Sequence, residues 1–265
     1  MDIEVRNLDF TYPAGVAALR GISLTIKGGE QVAIVGQNGS GKTTLVKHFN
    51  GLLRPSSGSI LVGEWDTRKV TVAKLARRVG YVFQNPDEQL FCRTVGEEIA
   101  FGPHNFGMDA QKIESLVNDA LQLVELTEKK DVNPYDLSPT WRKMVALASI
   151  ISMDTDCVIL DEPTTGQDAA NIERIAHVVG ELRKRGKTVI TITHDIDFCA
   201  ENFDRVIALA KGQILLDGTA GSVLGKEEIL AQTYVDPPQL TRLGKRLGIT
   251  KTVRNQEEFL AALNK

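Results

Sequence analysis

The sequence contains few cysteines, no long apolar run and no large excess of either charge. Its three cysteines, Cys92, Cys157 and Cys199, lie far apart and form no Cys-x-x-Cys pair. This spacing argues against a disulfide framework or a zinc site and favours reduced, structural thiols. No apolar stretch approaches the roughly 18 residues that cross a membrane. The formal net charge of -3 provides no overall basic field to hold nucleic acid.

The first ten residues, MDIEVRNLDF, carry acidic side chains where a secretory signal peptide has a basic region. We therefore expect a cytosolic chain, or one that reaches a membrane only through a partner.

The 265 residues suffice for one large domain, or for one domain with a small appendage. The opening segments IEVRNLDFTY and LRGISLTI alternate like an antiparallel sheet, and GSILVGEWD returns to strand character. From QVAIVG onward, apolar strands alternate with helical patterns, which predicts a largely parallel sheet covered on both faces. The strand signal stops near Gly221, and the remainder indicates a small helical appendage.

A glycine-rich segment, GQNGSGKT, follows the strand QVAIV and opens a helical pattern. It matches the phosphate-binding pattern GxxxxGK[ST] in the context that this chemistry needs. The glycines let backbone N–H groups approach phosphates, and the helix N-terminus favours negative charge. Lys42 is placed to reach the β and γ phosphates, and Thr43 can hold Mg²⁺.

Two acidic residues, Asp161 and Glu162, end the apolar strand VILDEP. Beside a phosphate-binding loop, Asp161 is placed to orient Mg²⁺ through water, and Glu162 can polarise an attacking water. Taken alone, such a pair would more often be a solvated turn or a cap. His194 follows the strand TVITIT and is expected at the same edge of the sheet, although a lone histidine there is as often structural.

Gln84 and Tyr12 give weaker signals. The Gln84 amide oxygen could contact the metal or its water. Tyr12 could stack on a base, or could simply pack at a sheet edge.

Taken together, these motifs resemble the nucleotide-binding subunit of the ABC ATPase family over about residues 1–217. The resemblance is carried by an ordered set: Tyr12, GQNGSGKT, Gln84, LS at 137–138, VILDEP, Asp168 and His194. Three longer segments, FTYPAGVAALRGISLTI, YVFQNPDEQLFCRTVGEEIAFGP and DPPQLTRLGKRLGI, are similar to the ATPase (A) component of energy-coupling factor transporters. Those transporters import vitamins or transition-metal ions in prokaryotes.

The resemblance implies an α/β P-loop NTPase of the ABC ATPase type. Its core sheet would be mostly parallel, with an N-terminal antiparallel β subdomain and a helical subdomain at about residues 86–153. The ATP-binding domain would span residues 1–220, and residues 221–265 would form the C-terminal appendage.

The resemblance also implies roles for individual residues. Tyr12 would stack on adenine, and Thr43 with Gln84 would bind Mg²⁺. Asp161 would order the water shell of the metal, Glu162 would be the general base, and His194 would sense the γ phosphate. The triphosphate of ATP would be bound by Gly36, Gln37, Asn38, Gly39, Ser40, Gly41, Lys42, Thr43 and Thr44.

In this family two ATPase subunits enclose two ATP molecules, and each site is completed by the signature segment of the opposite subunit. The implied partners are a second ABC ATPase, a transmembrane coupling component that docks near Gln84, and a substrate-binding membrane component. The chain would then lie on the cytoplasmic face of the membrane, held there by its partners.

Two segments depart from the family pattern. Gln167 stands where leucine is usual, which bears on communication between the subunits. The larger departure is LSPTW, where the family has LSGGQ. Ser138 is expected to cap the following helix, with Pro139 at its first position. Pro139 has no N–H to donate to a phosphate, and Thr140 and Trp141 add side chains where glycines would allow close approach.

Removing one donor to developing transition-state charge costs about 2.7 to 4 kcal/mol. The site that LSPTW completes should therefore be slow or silent, and it belongs to the partner. These considerations predict a heterodimer with one competent and one impaired site.

Two other functions remain open from the sequence. One is an ABC ATPase that acts on nucleic acid or the ribosome, against which stand the single cassette, the pI of about 5.9 and the lack of a coiled-coil or zinc insertion. The other is a regulatory subunit that binds ATP with little hydrolysis, against which stand Glu162 and His194.

Overall fold

The computed structural model describes residues 1–264, which form two β-sheets and several layers of helices. The strands are β1 (Ile3–Thr11), β2 (Ala17–Ile26), β3 (Gln31–Val35), β4 (Ser57–Val62), β5 (Trp65–Asp66), β6 (Val79–Val82), β7 (Cys157–Asp161), β8 (Thr188–Thr193), β9 (Arg205–Ala210) and β10 (Gln213–Thr219). Within residues 1–264 no helix combines the length and apolar character that crossing a bilayer requires.

The α-helices include several short ones near the C-terminus. They are α1 (Lys42–Phe49), α2 (Val72–Leu75), α3 (Val95–Asn105), α4 (Ala110–Leu123), α5 (Pro139–Ile151), α6 (Ala169–Lys184), α7 (Ile196–Asn202), α8 (Ala220–Leu224), α9 (Glu227–Leu230), α10 (Gln239–Arg246) and α11 (Gln256–Leu263). One-turn 3-10 helices occur at Pro86–Glu88, Thr127–Lys129, Pro134–Asp136 and Ala231–Thr233.

The two sheets have the strand directions that the sequence predicts. A four-stranded antiparallel sheet has the order β2-β1-β4-β5, and a six-stranded sheet has the order β10-β9-β3-β8-β7-β6. In the larger sheet β9, β3, β8, β7 and β6 run parallel, and β10 pairs antiparallel with β9. The α/β fold with a mostly parallel core sheet is therefore confirmed.

The core sheet separates two apolar clusters, because successive side chains of a strand point to opposite faces. On β3, Val32 and Ile34 face the antiparallel sheet and α1, whereas Ala33 and Val35 face α3 to α7. All four side chains are fully buried. A strand buried on both faces needs an uninterrupted apolar sequence. The strands of this sheet could therefore be predicted from short apolar runs.

Two segments divide where the sequence reading left them continuous. GSILVGEWD, expected as one strand, folds back at Gly63 (φ 59°), so that β4 and β5 pair antiparallel. Within the helical subdomain expected at about residues 86–153, the chain turns at Gly107 (φ 73°), which separates α3 from α4. Glycine accepts a positive φ without steric cost, so both breaks occur where the chain can reverse.

Candidate functional site

The loop between β3 and α1 is built from glycines that no other residue could replace without strain. Gly36 has φ 150°, and a Cβ there would collide with the carbonyl oxygen of Leu209. Gly41 has φ 107° and precedes the first residue of α1. The backbone of residues 36–41 can therefore curl at the N-terminus of α1, where free N–H groups favour an anion.

Lys42 is folded back onto this loop. Its Nζ donates to the carbonyl oxygens of Gly36, at 2.6 Å, and Gln37, at 3.1 Å. The residue is 6% exposed, and burial lowers the pKa of its amine. The amine thus occupies the concave side of the loop, close to where phosphate oxygens would lie.

A cleft of about 280 Å³ lies over the loop and contains most of the residues predicted from the sequence. Tyr12 lies on its wall and Thr43 is partly exposed in it. Gln84, two residues beyond the end of β6, also lines the cleft, as does Glu162, the first residue after β7. Its lining is completed by Val16, Ala17, Ala18, Asn38, Gly39, Gly41, Lys42 and Thr44.

Asp161, the last residue of β7, is held by a phenol that the sequence reading did not single out. The Tyr81 hydroxyl on β6 donates to Oδ2 of Asp161 at 2.5 Å. The other carboxylate oxygen, Oδ1, is buried without a hydrogen-bond partner. Burial raises the pKa of Asp161, and the Tyr81 hydrogen bond opposes that shift.

An unpaired buried carboxylate oxygen needs a donor or a cation. Oδ1 of Asp161 therefore fits the water shell of a Mg²⁺ ion, and the oxygen-bearing side chains of Thr43 and Gln84 are the kind of ligand that Mg²⁺ prefers. The residues present suit the metal that the phosphate-binding loop implies.

Glu162 and His194 lie in contact at the edge of the sheet. Nδ1 of His194 lies 2.9 Å from Oε2 of Glu162, whose side chain is 7% exposed, whereas that of His194 is 62% exposed. The recorded hydrogen bond between the two residues runs from the backbone N–H of His194 to Oε2 of Glu162, at 3.4 Å. The Glu162 backbone has φ 47°, a left-handed conformation that is rare outside glycine and is fixed by the N–H bond to the Ile192 carbonyl.

Lys143 is a second residue that the sequence reading missed. It lies on α5, is 4% exposed, and donates from Nζ to the carbonyl oxygens of Gln84 and Glu162, each at 2.8 Å. Burial lowers the pKa of Lys143 to about 8. A signal was present in the sequence, since Lys143 is in phase at i+4 and i+8 with the buried Leu147 and Ile151.

The LSPTW segment lies apart from the cleft of its own chain. Helix α5 begins at Pro139 with Ser138 at the N-cap, as expected, but Ser138 makes no side-chain cap. Its hydroxyl instead lies 2.8 Å from the Thr140 hydroxyl. Ser138 and Pro139 are exposed, and Ser138, Pro139 and Thr140 are not among the residues that line the cleft.

Gln167 and Asp168 lie at the end of the loop that joins β7 to α6. The carboxylate of Asp168 accepts from the Asn171 N–H at 2.8 Å and caps the helix. Oε1 of Gln167 is buried without a partner.

A glycine-rich loop before a helix, a buried carboxylate with an unpartnered oxygen and a glutamate beside a histidine lie together at the carboxyl edge of a parallel sheet. This is the arrangement of a P-loop nucleotide hydrolase. Family comparison narrows this class: residues 19–165 match the family described as ABC transporter. The chain belongs to the ABC transporter ATPase family, and its relatives include energy-coupling factor ATPases.

Three relatives illustrate the similarity. The energy-coupling factor transporter ATP-binding protein EcfA of Methanothermobacter thermautotrophicus is 38% identical over 247 residues, covering 92% of this chain and 79% of EcfA. The structure of CbiO1 from Clostridium perfringens, described as part of the ABC transporter complex CbiONQ, has a TM-score of 0.78 and 36% identity, covering 93% of this chain and 98% of CbiO1.

The dimeric ATP-binding cassette MJ0796, solved with ADP and Pi in a post-hydrolysis state, has a TM-score of 0.75 and 26% identity. The match covers 82% of this chain and 98% of the cassette. This family relationship supports ATP hydrolysis by the chain.

Proposed function

We propose that this chain is an ATP-hydrolysing subunit of an energy-coupling factor importer that takes up a vitamin or a transition-metal ion. The observation that carries the proposal is the convergence of Lys42, Asp161 and the Glu162–His194 pair at one edge of the sheet. The similarity to EcfA and CbiO1 supports the transport assignment.

ATP binding is assigned to the loop and to Tyr12. The N–H groups of residues 36–44 and the N-terminus of α1 would receive the phosphates. Lys42 would exchange its bonds to the Gly36 and Gln37 carbonyls for bonds to phosphate oxygens, which restore a counter-charge to a buried amine. The Tyr12 ring, 37% exposed on the cleft wall, would stack on adenine.

Thr43 and Gln84 would hold Mg²⁺, with Oδ1 of Asp161 accepting from its water shell. When bound, the metal neutralises charge that develops on the transferred phosphoryl group. Tyr81 keeps the other oxygen of Asp161 occupied, which leaves Oδ1 as the oxygen without a partner.

Glu162 is the proposed general base for the attacking water. A base must accept a proton, and Glu162 Oε2 already accepts from the His194 backbone N–H and from the Thr165 hydroxyl, each at 3.4 Å. These two bonds orient the carboxylate and leave Oε1 for water. The exposed His194 ring would reach the outer phosphate through Nε2.

A membrane component is the proposed partner for an apolar groove of about 470 Å³ near the Gln84 loop. Phe91 and Phe101 line it, meet edge to face at 4.7 Å, and are 61% and 44% exposed. Exposed aromatic pairs of this kind are typical of protein interaction sites. A transmembrane coupling component docked here, with a substrate-binding membrane component beyond it, would hold the chain on the cytoplasmic face of the membrane.

The second proposed partner is another ABC ATPase. Pro139 offers no N–H at the start of α5, so the segment Ser138-Pro139-Thr140 would grip the partner's ATP weakly. The site on this chain would instead be completed by the partner's signature. We therefore infer an asymmetric heterodimer in which this chain's Glu162 serves the competent site.

The test is Glu162→Gln in the assembled transporter. Glutamine keeps the shape of the side chain but is a far weaker base, so we expect turnover to fall by at least about 10²-fold while ATP stays bound. Asp109→Asn, at the N-cap of α4 and outside the cleft, is the control and should leave turnover within about twofold of wild type. Full turnover and transport in Glu162→Gln would show that Glu162 is not the base.

A further inference from the structure

Lys143 joins two loops that would act on the nucleotide from different strands. Gln84 lies just beyond β6, and Glu162 just beyond β7. These strands are adjacent and parallel, with Val82 opposite Leu160, so both loops leave the sheet at the same edge. The Lys143 amine lies between them and donates to both backbone carbonyls at 2.8 Å.

The Lys143 amine is placed to connect two backbone carbonyls and is not a solvent-exposed charge. Lys143 is 4% exposed, and the carboxylates of Asp161 and Glu162 partly offset the cost of burying its charge. A charged donor forms stronger hydrogen bonds to carbonyls than a neutral one. An apolar side chain of the same length would leave both carbonyls without this donor.

Helix α5 holds the Gln84 loop at a second point. The side chain of Gln89 accepts from the Phe83 N–H at 3.2 Å and donates to the Ala146 carbonyl of α5 at 2.8 Å. Glu162, just beyond β7, is joined to the same helix through Lys143. A movement of α5 therefore displaces both loops together.

We propose that Lys143 is a positioning residue for ATP hydrolysis, which fixes the Gln84 loop relative to Glu162. The proposal rests on the proposed function. It also connects two roles of one helix, because Ser138 and Pro139 open α5 and Lys143 lies about one turn further along. The segment directed at the partner's nucleotide is thereby linked mechanically to this chain's own base.

The first experiment measures steady-state hydrolysis by the assembled ATPase pair carrying Lys143→Met. We expect kcat to fall about ten- to a hundredfold while KM for ATP changes less than about threefold, because the catalytic groups are misplaced but the binding loop is untouched. Lys143→Gln keeps a shorter donor and should recover part of the loss.

Lys187→Met is the matched control. Its Nζ also donates to a loop carbonyl, that of Asp154 at 2.9 Å, but at the opposite edge of the sheet. Both kinetic constants should stay within about twofold of wild type. A wild-type kcat in Lys143→Met, or an equal loss in Lys187→Met, overturns the proposal.

The second experiment does not require hydrolysis. Amide hydrogen exchange of the full chain without nucleotide should be faster in residues 83–90 and 161–168 of Lys143→Met, and unchanged there in Lys187→Met. If the wild-type pair has no ATPase activity, the proposed function is refuted. If hydrogen exchange in Lys143→Met equals that of wild type, the role of Lys143 is refuted. If Lys143→Met does not fold, Lys143→Gln replaces it, with faster exchange in either segment expected and wild-type exchange overturning the proposal.

Discussion

The phenol oxygen of Tyr12 lies 2.9 Å from the hydroxyl oxygen of Thr44, the third residue of α1. The Tyr12 ring also meets Phe10 edge to face, with centroids 4.8 Å apart. The two readings of Tyr12 from the sequence, edge packing and base stacking, are therefore compatible. One edge of the ring is anchored, and 37% of the residue remains exposed at the cleft.

The first prediction separates the ring from the hydroxyl. Tyr12→Ala removes the stacking surface and should weaken ATP binding by about 1 to 3 kcal/mol, the range found for base–aromatic stacking. Tyr12→Phe keeps the ring and loses only the bond to Thr44, so its Kd should stay within about twofold of wild type. Calorimetry with ATP measures both, and equal Kd values for Tyr12→Ala and wild type would refute the stacking role.

The second prediction concerns His48, which is fully buried on α1. Its Nδ1 lies 2.7 Å from the Thr44 carbonyl oxygen, and burial lowers the pKa of the ring despite backbone contacts with Thr44 and Arg54. The His48 ring therefore becomes protonated at a lower pH in the folded protein than in the unfolded chain. Stability conferred by neutral His48 is complete above the unfolded pKa of about 6.5 and is lost as pH falls below it.

We expect the free energy of unfolding to decrease from pH 7 to pH 5.5, with His48 contributing up to about 1.4 kcal/mol per pH unit. His48→Asn keeps an N–H donor for Thr44 and does not titrate, so it should flatten this dependence while lowering stability overall. Denaturant titrations at several pH values measure it. The same slope in His48→Asn and wild type would contradict the assignment, since the other three histidines are exposed.

The third prediction concerns the first residue of α5. Pro139→Gly supplies an N–H at the helix N-terminus, so turnover of the ATPase pair should stay equal to wild type or rise. Pro134→Gly is the control, since Pro134 likewise begins a helical turn but lies outside the signature. It should lower stability without raising turnover. A marked fall in turnover specific to Pro139→Gly would contradict our interpretation of the segment.

Much of this fold was predictable because its decisive patterns are local. Gly36, Gly41 and Lys42 are read from one short segment, since the left-handed glycines and the helix start adjoin in sequence. Asp161 and His194 were placed at one edge of the sheet because both follow apolar strands that are parallel.

The remaining features depend on contacts between distant segments. The Tyr81–Asp161 bond joins residues 80 positions apart, and Lys143 reaches carbonyl oxygens 59 and 19 positions away. No spacing rule connects such residues. Ser138 was correctly predicted as the N-cap position, but its hydroxyl pairs with Thr140, a rotamer choice that sequence does not determine.

The most direct test of the account compares ATP hydrolysis by this chain alone with hydrolysis by the chain mixed with a second ABC ATPase that has an intact glycine-rich signature. The chain alone should be slow, because LSPTW would have to complete both of its sites. The mixture should hydrolyse ATP at least about 10²-fold faster, and Glu162→Gln in this chain should abolish the gain. Brisk hydrolysis by the purified chain alone would contradict the asymmetric heterodimer.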